Sequence, residues 1–314
     1  MTANQVRATP PSVAARPPQH ASGDRLSARA TEAIAGYLFL LPDLLGLALF
    51  VVLPIGAAAF LSLHDWNGFT DPKFIGLANY ELLLADPAFL DSVRITVTYV
   101  LLFVPALIVV SLGLAMLVNQ HLRFTWFFRS AFFLPVMFSL VVASVVWTQI
   151  FQENGGILNW ALGLVGIPPQ PWLGSTDQAL LAVAIVALWQ GIGYNMIIFL
   201  AGLQDIPTEY YDAAAVDGAN AVSRFRHITL PQLRRTTVFV LVTSLIAAFQ
   251  VFDPIFVMTS GGPANATRTT VFYVYENAFS FLRLGYASAI SVVLFLMIFA
   301  FTGMQLRLFR TTED

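Results

Sequence analysis

The chain has 314 residues, 57% of them hydrophobic and only 11% charged, with a net charge of −2 and no cysteine. A water-soluble domain carries about a quarter charged residues, so this chain has too few charges to cover a surface facing water and reads as a multispanning membrane protein. The net charge excludes a nucleic-acid binder that relies on a basic face, and the lack of cysteine excludes disulfides, thiolate metal sites, iron–sulfur clusters and thiol nucleophiles.

Crossing a hydrocarbon core takes about 20 apolar residues in a helix. In chain order, residues 1–32 come first; they are rich in Pro, Ala, Ser and Arg and read as a disordered tail. A cleaved signal peptide is not expected, because the apolar run starts late and is about twice as long as a signal h-region. Six apolar stretches then follow within residues 33–310: Gly36–Leu63, Ile95–Val118, Ser130–Phe151, Gln178–Leu203, Thr236–Met258 and Leu284–Leu306, with 311–314 as a short second tail. Pro54, Pro105, Pro135 and Pro254 fall inside them. Each reads as a kink whose freed carbonyl a neighbouring helix satisfies, or as a hinge.

Loop charge sets the orientation, since Lys and Arg collect on the cytoplasmic side. Arg7, Arg16, Arg25, Arg29, Arg123, Arg129, Arg224, Arg226, Arg234, Arg235, Arg307 and Arg310 lie on one side of the six spans, against Lys73, Arg94, Arg268 and Arg283 on the other. Both termini are therefore expected in the cytoplasm. The outward segments, about 64–94, 152–177 and 259–283, hold Trp, Asn, Gly and Pro and read as folded caps.

One inward loop, 204–235, is long and polar. Pro207, Thr208 and Glu209 read as a helix start, with proline in the first turn and a carboxylate at the positive end of the dipole. Tyr210, Tyr211, Asp212, Ala213, Ala214, Ala215, Val216 and Asp217 continue it, and Gly218 is placed to end it. A second short helix is expected from about Asn220 to Ile228, ending before Pro231. Two short helices meeting at a glycine make a projecting knob, smooth at Ala213–Ala215. It is read as a docking element for another protein or as an amphipathic hairpin on lipid.

The run Asp212-Ala213-Ala214, three residues, Gly218, nine residues, Ile228-Thr229-Leu230-Pro231 resembles the EAA signature of binding-protein-dependent ABC importer permeases. Phe74-Ile75-Gly76-Leu77-Ala78-Asn79-Tyr80, Leu200-Ala201-Gly202-Leu203-Gln204-Asp205-Ile206-Pro207, and Phe252-Asp253 with Thr259-Ser260-Gly261-Gly262-Pro263 are similar to the sugar-permease branch, which includes maltose and glycerol-phosphate permeases. The resemblance covers about residues 35–310. It implies an all-α integral membrane protein with six transmembrane helices in the type I ABC importer permease fold, in a bacterial inner membrane. It also implies a second permease subunit, an ATPase dimer holding ATP and Mg, and an extracytoplasmic solute-binding protein, with lipid around the spans. Glu209, Tyr210, Asp212, Ala213, Ala214, Asp217, Gly218 and Pro231 would then form the ATPase-coupling element. The family usually has Glu where this chain has Asp212, one methylene shorter, a place that Glu209 could fill.

No cofactor is expected in the chain itself. A P-loop needs G-x-x-x-x-G-K-[ST], and the sole lysine, Lys73, lies outside any such frame. His20, His64, His121 and His227 fall in the tail and in loops on different sides, so no metal cluster is expected. The chain reads as a transport subunit without an ATPase site, not as an enzyme. Inside the spans, Thr243, Gln250 and Asp253 share an arc of about 80° at helical spacing, and Gln190 and Tyr194 form an i, i+4 pair beside Gly191 and Gly193. With Trp147 as a stacking face, Gln190, Tyr194, Gln250 and Asp253 line a sugar path or else hydrogen-bond between helices; Asn195 points elsewhere and reads as interhelical glue. Sugar or oligosaccharide is the expected cargo, since no Arg or Lys lies within a span to hold a phosphate. Glycerol-3-phosphate or a glycerophosphodiester is the alternative cargo, and an ion-coupled secondary transporter the alternative class.

Overall fold

A computed structural model describes residues 24–120 and 124–310. The expected tail before Asp24, the short tail 311–314, and His121 and Arg123 lie outside the described residues. By its internal contacts the chain divides into a segment ending at Gly56 and a larger body from Ala57 onward.

The first segment holds α1 (Asp24–Leu47), a π-helical turn at Ala48–Val52 and the start of α2 (Leu53–Leu61), within which the division falls. Helix thus begins at Asp24, within the stretch read as tail; Leu26, Ala28, Ala30 and Glu32 are good helix formers. The stretch Glu32–Leu61 is long and apolar enough to cross a membrane.

The body opens with a two-stranded hairpin, β1 (His64–Asp65) against β2 (Lys73–Phe74), then α3 (Ala78–Ala85) and α4 (Pro87–Val118). Next come α5 (Thr125–Phe133), α6 (Leu140–Ile150), α7 (Ile157–Leu164), α8 (Ala179–Gln204), α9 (Thr208–Val216), α10 (Ala221–Arg224) and α11 (Leu230–Gln232). The last four are α12 (Arg234–Phe249), α13 (Asp253–Met258), α14 (Thr270–Tyr275) and α15 (Leu284–Arg310). Helix α4 is longer than the apolar run, because the Asp86 side chain caps it by accepting from Ala88 N.

Five described helices are long and apolar enough to span, and the bent pair Thr125–Met137 and Leu140–Ile150, at 99° to each other, makes a sixth if counted as one broken span. The stretch Ser130–Phe151, expected as one helix kinked or hinged at Pro135, is instead broken in two. Pro135 opens a 3-10 turn, Leu134–Met137, and Phe138 and Ser139 turn extended at ψ 142° and 131°. A carbonyl freed inside a membrane needs a donor, and Gln190 Nε2 donates to Phe138 O at 2.9 Å. The fifth stretch also breaks: α12 ends at Phe249, and Asp253 and Pro254 start α13. Pro254 begins a helix there and kinks none.

Small side chains bring the helices of the body together. Ala179, Ala182, Val183 and Val186 of α8 are fully buried. A Cβ on Gly193 would stand 2.1 Å from Phe132 O, so only glycine lets α8 touch the end of α5. One end of the body is a cap tied by buried polar groups. Asp86 Oδ2 accepts from Tyr273 at 2.6 Å and from Tyr286 at 2.7 Å. Asn159 donates to Gln152, Glu153 and Gln170 carbonyls and accepts from Gln170 N and Trp172 Nε1. Thr96 Oγ1 joins α4 to Thr270. Burial raises the Asp86 carboxyl, but the two phenols and the backbone N–H groups of Ala88 and Phe89 outweigh it and hold it below its ordinary value.

Candidate functional site

Between α4, α8 and α12 lies a cavity of about 330 Å³. Gln190, Tyr194 and Asn195 reach it from α8, Thr243 and Ser244 from α12, Gln250 from the break after α12, and Asp253 from the first residue of α13. Four residues singled out in the sequence, Gln190, Tyr194, Gln250 and Asp253, are thus brought together, although they come from two stretches about sixty residues apart. Apolar and aromatic groups supply the rest of the wall, among them Tyr99, Phe103 and Phe252. Apolar walls with a few polar groups are the usual make-up of a small-molecule site.

Trp147 is not in this wall. Its ring packs edge-on against Trp189 at 5.6 Å and tilts against Phe151 at 5.4 Å, so it belongs to the core. The reason is the break at Ser139, which starts α6 on a new axis. Asn195 differs as well: its amide donates to Gly191 O of its own helix at 2.9 Å, and it lines the cavity rather than joining two helices. Tyr99 and Ser244 were not legible as site residues. Tyr99 stacks on Phe103 at 5.5 Å and is 1% exposed, which in sequence looks like core; Ser244 lies one position off the polar stripe. Among the residues lining the cavity, Asp253 is the only charged one.

The knob occupies the other end of the body from the cap. Helix α9 starts after Pro207, which is extended at ψ 132°, and Glu209 lies in its first turn. Gly218 takes φ +74°, and its N–H bonds Ala215 O while Ala219 N bonds Ala214 O at 2.9 Å. That crossed pair is the Schellman closure, in which a left-handed residue lets two N–H groups reach back to the last turn. Asn220 then caps α10 by accepting from Ser223 N. The second helix does not stop before Pro231. It passes through a π turn at Phe225–Thr229 into α11, and Pro231 is the second residue of that last short helix.

The knob is seated by Tyr211. Its hydroxyl meets Thr229 Oγ1 at 2.9 Å, and with Ile228 it packs on the cluster that includes Leu203, Ile206 and Leu233. Glu209, Asp212, Ala213, Asp217 and Gly218 are exposed, Ala214 is half-buried, and Tyr210, Val216, Val222 and Leu230 present apolar surface 45–88% exposed. An acidic, apolar and backbone-rigid protrusion can hold its shape in a partner's groove without refolding.

Comparison with known proteins places this architecture. Residues 82–313 match the family described as binding-protein-dependent transport system inner membrane component. The chain is 37% identical over 286 residues to the probable ABC transporter permease protein YurN of Bacillus subtilis, covering 90% of this chain and 98% of that one. It is 33% identical to the trehalose/maltose transport system permease protein MalF of Thermococcus litoralis, covering 90% and 96%. In structure it is similar to a chain of a bacterial ABC transporter involved in the import of the acidic polysaccharide alginate, with a TM-score of 0.78, 21% identity, and 92% and 100% of the two chains covered. The fold is that of a type I permease, a transport component and not an enzyme, and the chain belongs to the family of binding-protein-dependent transport system inner membrane components.

Proposed function

We propose that this permease forms half of the path for a neutral sugar or oligosaccharide, with a second permease subunit as the other half. The observation that carries the reading is the cavity. Amides from Gln190, Asn195 and Gln250 and hydroxyls from Tyr194 and Thr243 offer hydrogen bonds of the kind sugar hydroxyls make, beside the aromatic faces of Tyr99, Phe103 and Phe252. Asp253 as the sole charge, with no lining cation, disfavours a phosphate or carboxylate cargo. The names of two relatives agree with a carbohydrate cargo: a multiple sugar-binding transport system permease of Streptococcus mutans and a lactose transport system permease of Rhizobium radiobacter are 34% and 36% identical.

In this reading the knob docks on an ATPase dimer that holds ATP and Mg, with Glu209, Tyr210, Asp212, Ala213, Ala214, Asp217 and Gly218 at the contact and Pro231 behind it. ATP-driven closure of that dimer carries the knob with it and swings the cavity open toward a solute-binding protein seated on the cap. Both termini lie in the cytoplasm of a bacterial cell, by the loop-charge asymmetry. Reconstituting the complex and measuring uptake of neutral disaccharides beside glycerol-3-phosphate tests the cargo class. Uptake of glycerol-3-phosphate alone would overturn it. For orientation, Arg226→Cys in this cysteine-free chain is expected to resist an impermeant maleimide added to intact cells, and labelling from outside would reverse the topology.

A further inference from the structure

At the knob end, a second and more polar cleft of about 660 Å³ opens between α4, α5, α8 and α9. Asn119, Gln120, Gln204 and Thr208 line it together with Arg129, and among the described residues no carboxylate does. Arg129 is half-buried, and its Nε is shut off from solvent with no hydrogen-bond partner. Among the described residues its guanidinium has no ion pair. An uncompensated, partly desolvated cation is costly, and the cost is relieved by an anion that accepts from it. The guanidinium fork matches two phosphate oxygens.

The surroundings choose the kind of anion. On the same helix α5, Trp126, Phe127 and Phe128 are 42–69% exposed, as is Phe124 just before it at 68%. In water such a row would be an unfavourable apolar patch, whereas at a membrane boundary aromatic rings face the headgroup and upper-chain region. Thr125 lines the polar cleft and also a small apolar crevice of about 50 Å³ shared with Leu117, Val118 and Phe128. A polar cleft holding a cation without an ion pair, next to an apolar crevice with which it shares Thr125 and to the exposed aromatic face of α5, has polar and apolar surface side by side, as a lipid headgroup and the start of its chains require. Basic pockets between membrane helices take lipid headgroups for this reason.

We propose that this cleft binds the phosphodiester of an anionic membrane phospholipid, with Arg129 as the phosphate ligand and the α5 aromatics against its acyl chains. Because Thr208 and Tyr211 of α9 line the same cleft, the bound headgroup sits against the base of the knob. The site is separate from the cargo cavity and does not depend on what that cavity carries.

The test uses the full chain in nanodiscs of phosphatidylcholine containing a phosphatidylglycerol with a photoreactive diazirine near its headgroup, the adducts being mapped by mass spectrometry. Adducts are expected on α5 and near Asn119, competed by unlabelled phosphatidylglycerol and not by extra phosphatidylcholine. Loss of a hydrogen-bonded ion pair predicts about a tenfold fall in these adducts for Arg129→Gln, with Arg129→Lys intermediate because it keeps the charge and loses the fork. Unchanged labelling in Arg129→Gln overturns the proposal. So does competition by inorganic phosphate as strong as that by the lipid, which would make this a free-anion site. Absence of adducts from wild type, with Arg129→Gln releasing a co-purifying ATPase, would reassign Arg129 to a protein partner. If Arg129→Gln does not insert, the competition on wild type and the Arg129→Lys comparison decide the question.

Discussion

At the cap end, Asp86 accepts from Tyr273 and Tyr286, partners 187 and 200 positions away, while at the knob end Gly218 and Asn220 close their turns on groups no more than five residues off. The cap is a tertiary construction, in which buried side chains tie α4, α14 and α15 and each depends on the others being in place. The knob is a local construction whose shape comes from backbone geometry, with Tyr211 and Ile228 as its anchors to the bundle. A part that must transmit motion is well served by a rigid local shape on a small footing. A part that must hold helix ends together needs long-range ties.

Substitutions at the two ends should therefore fail in different ways, and the cap should show the larger loss of stability. Asp86→Ala leaves two phenols without an acceptor and removes the cap of α4. By the usual value of hydrogen bonds to a charged group it should cost about 2–4 kcal/mol, read as a lower thermal midpoint of the purified protein. An unchanged midpoint would mean that the cap is not held by this cluster. Gly218→Val should cost less, about 1–2 kcal/mol for a forced left-handed residue, confined to the knob. No atom lies within 4 Å of where its Cβ would go, so the effect is conformational and not a clash. The expected phenotype is normal insertion and thermal midpoint with ATP hydrolysis uncoupled from uptake, and Gly218→Asn should restore coupling because Asn tolerates this conformation. Wild-type transport by Gly218→Val would break the link between the knob and coupling.

The cargo cavity lies between the two ends and should respond more weakly still. Gln250→Ala or Tyr194→Ala, each removing one hydrogen bond of about 0.5–1.5 kcal/mol, should reduce sugar uptake by about two- to twelvefold with assembly intact. Normal uptake kinetics in both would return these residues to helix packing. The smallest effect is on pH dependence. Asp86 is held below its ordinary value when folded, so its contribution is fully present above the unfolded value of about 3.9 and is lost as pH falls through the lower folded value. The stability gap between wild type and Asp86→Asn should stay constant near neutrality and close only in acid. A gap that closes near pH 7 would exclude Asp86 as its source.

Much of this architecture was legible in the residues themselves. Apolar runs long enough to span, a helix start at Pro207–Glu209 and a left-handed stop at Gly218 all follow from local rules, because length, hydropathy and backbone freedom belong to neighbouring residues. The pair Gln190/Tyr194 was legible for the same reason, since helical periodicity places it on one face of α8, whereas Gln250 and Asp253 reach the cavity across the break between α12 and α13, not by sharing one helix face. Tertiary structure decided whether these groups meet, and it removed Trp147 from the wall. It also decided which proline breaks a span. Pro105 remains inside α4, whereas Pro135 precedes a 99° bend whose freed carbonyl is met by Gln190, fifty-two residues downstream. A membrane interior does not tolerate an unpaired carbonyl, so the cost of a break depends on a donor that only the packed bundle can bring to it.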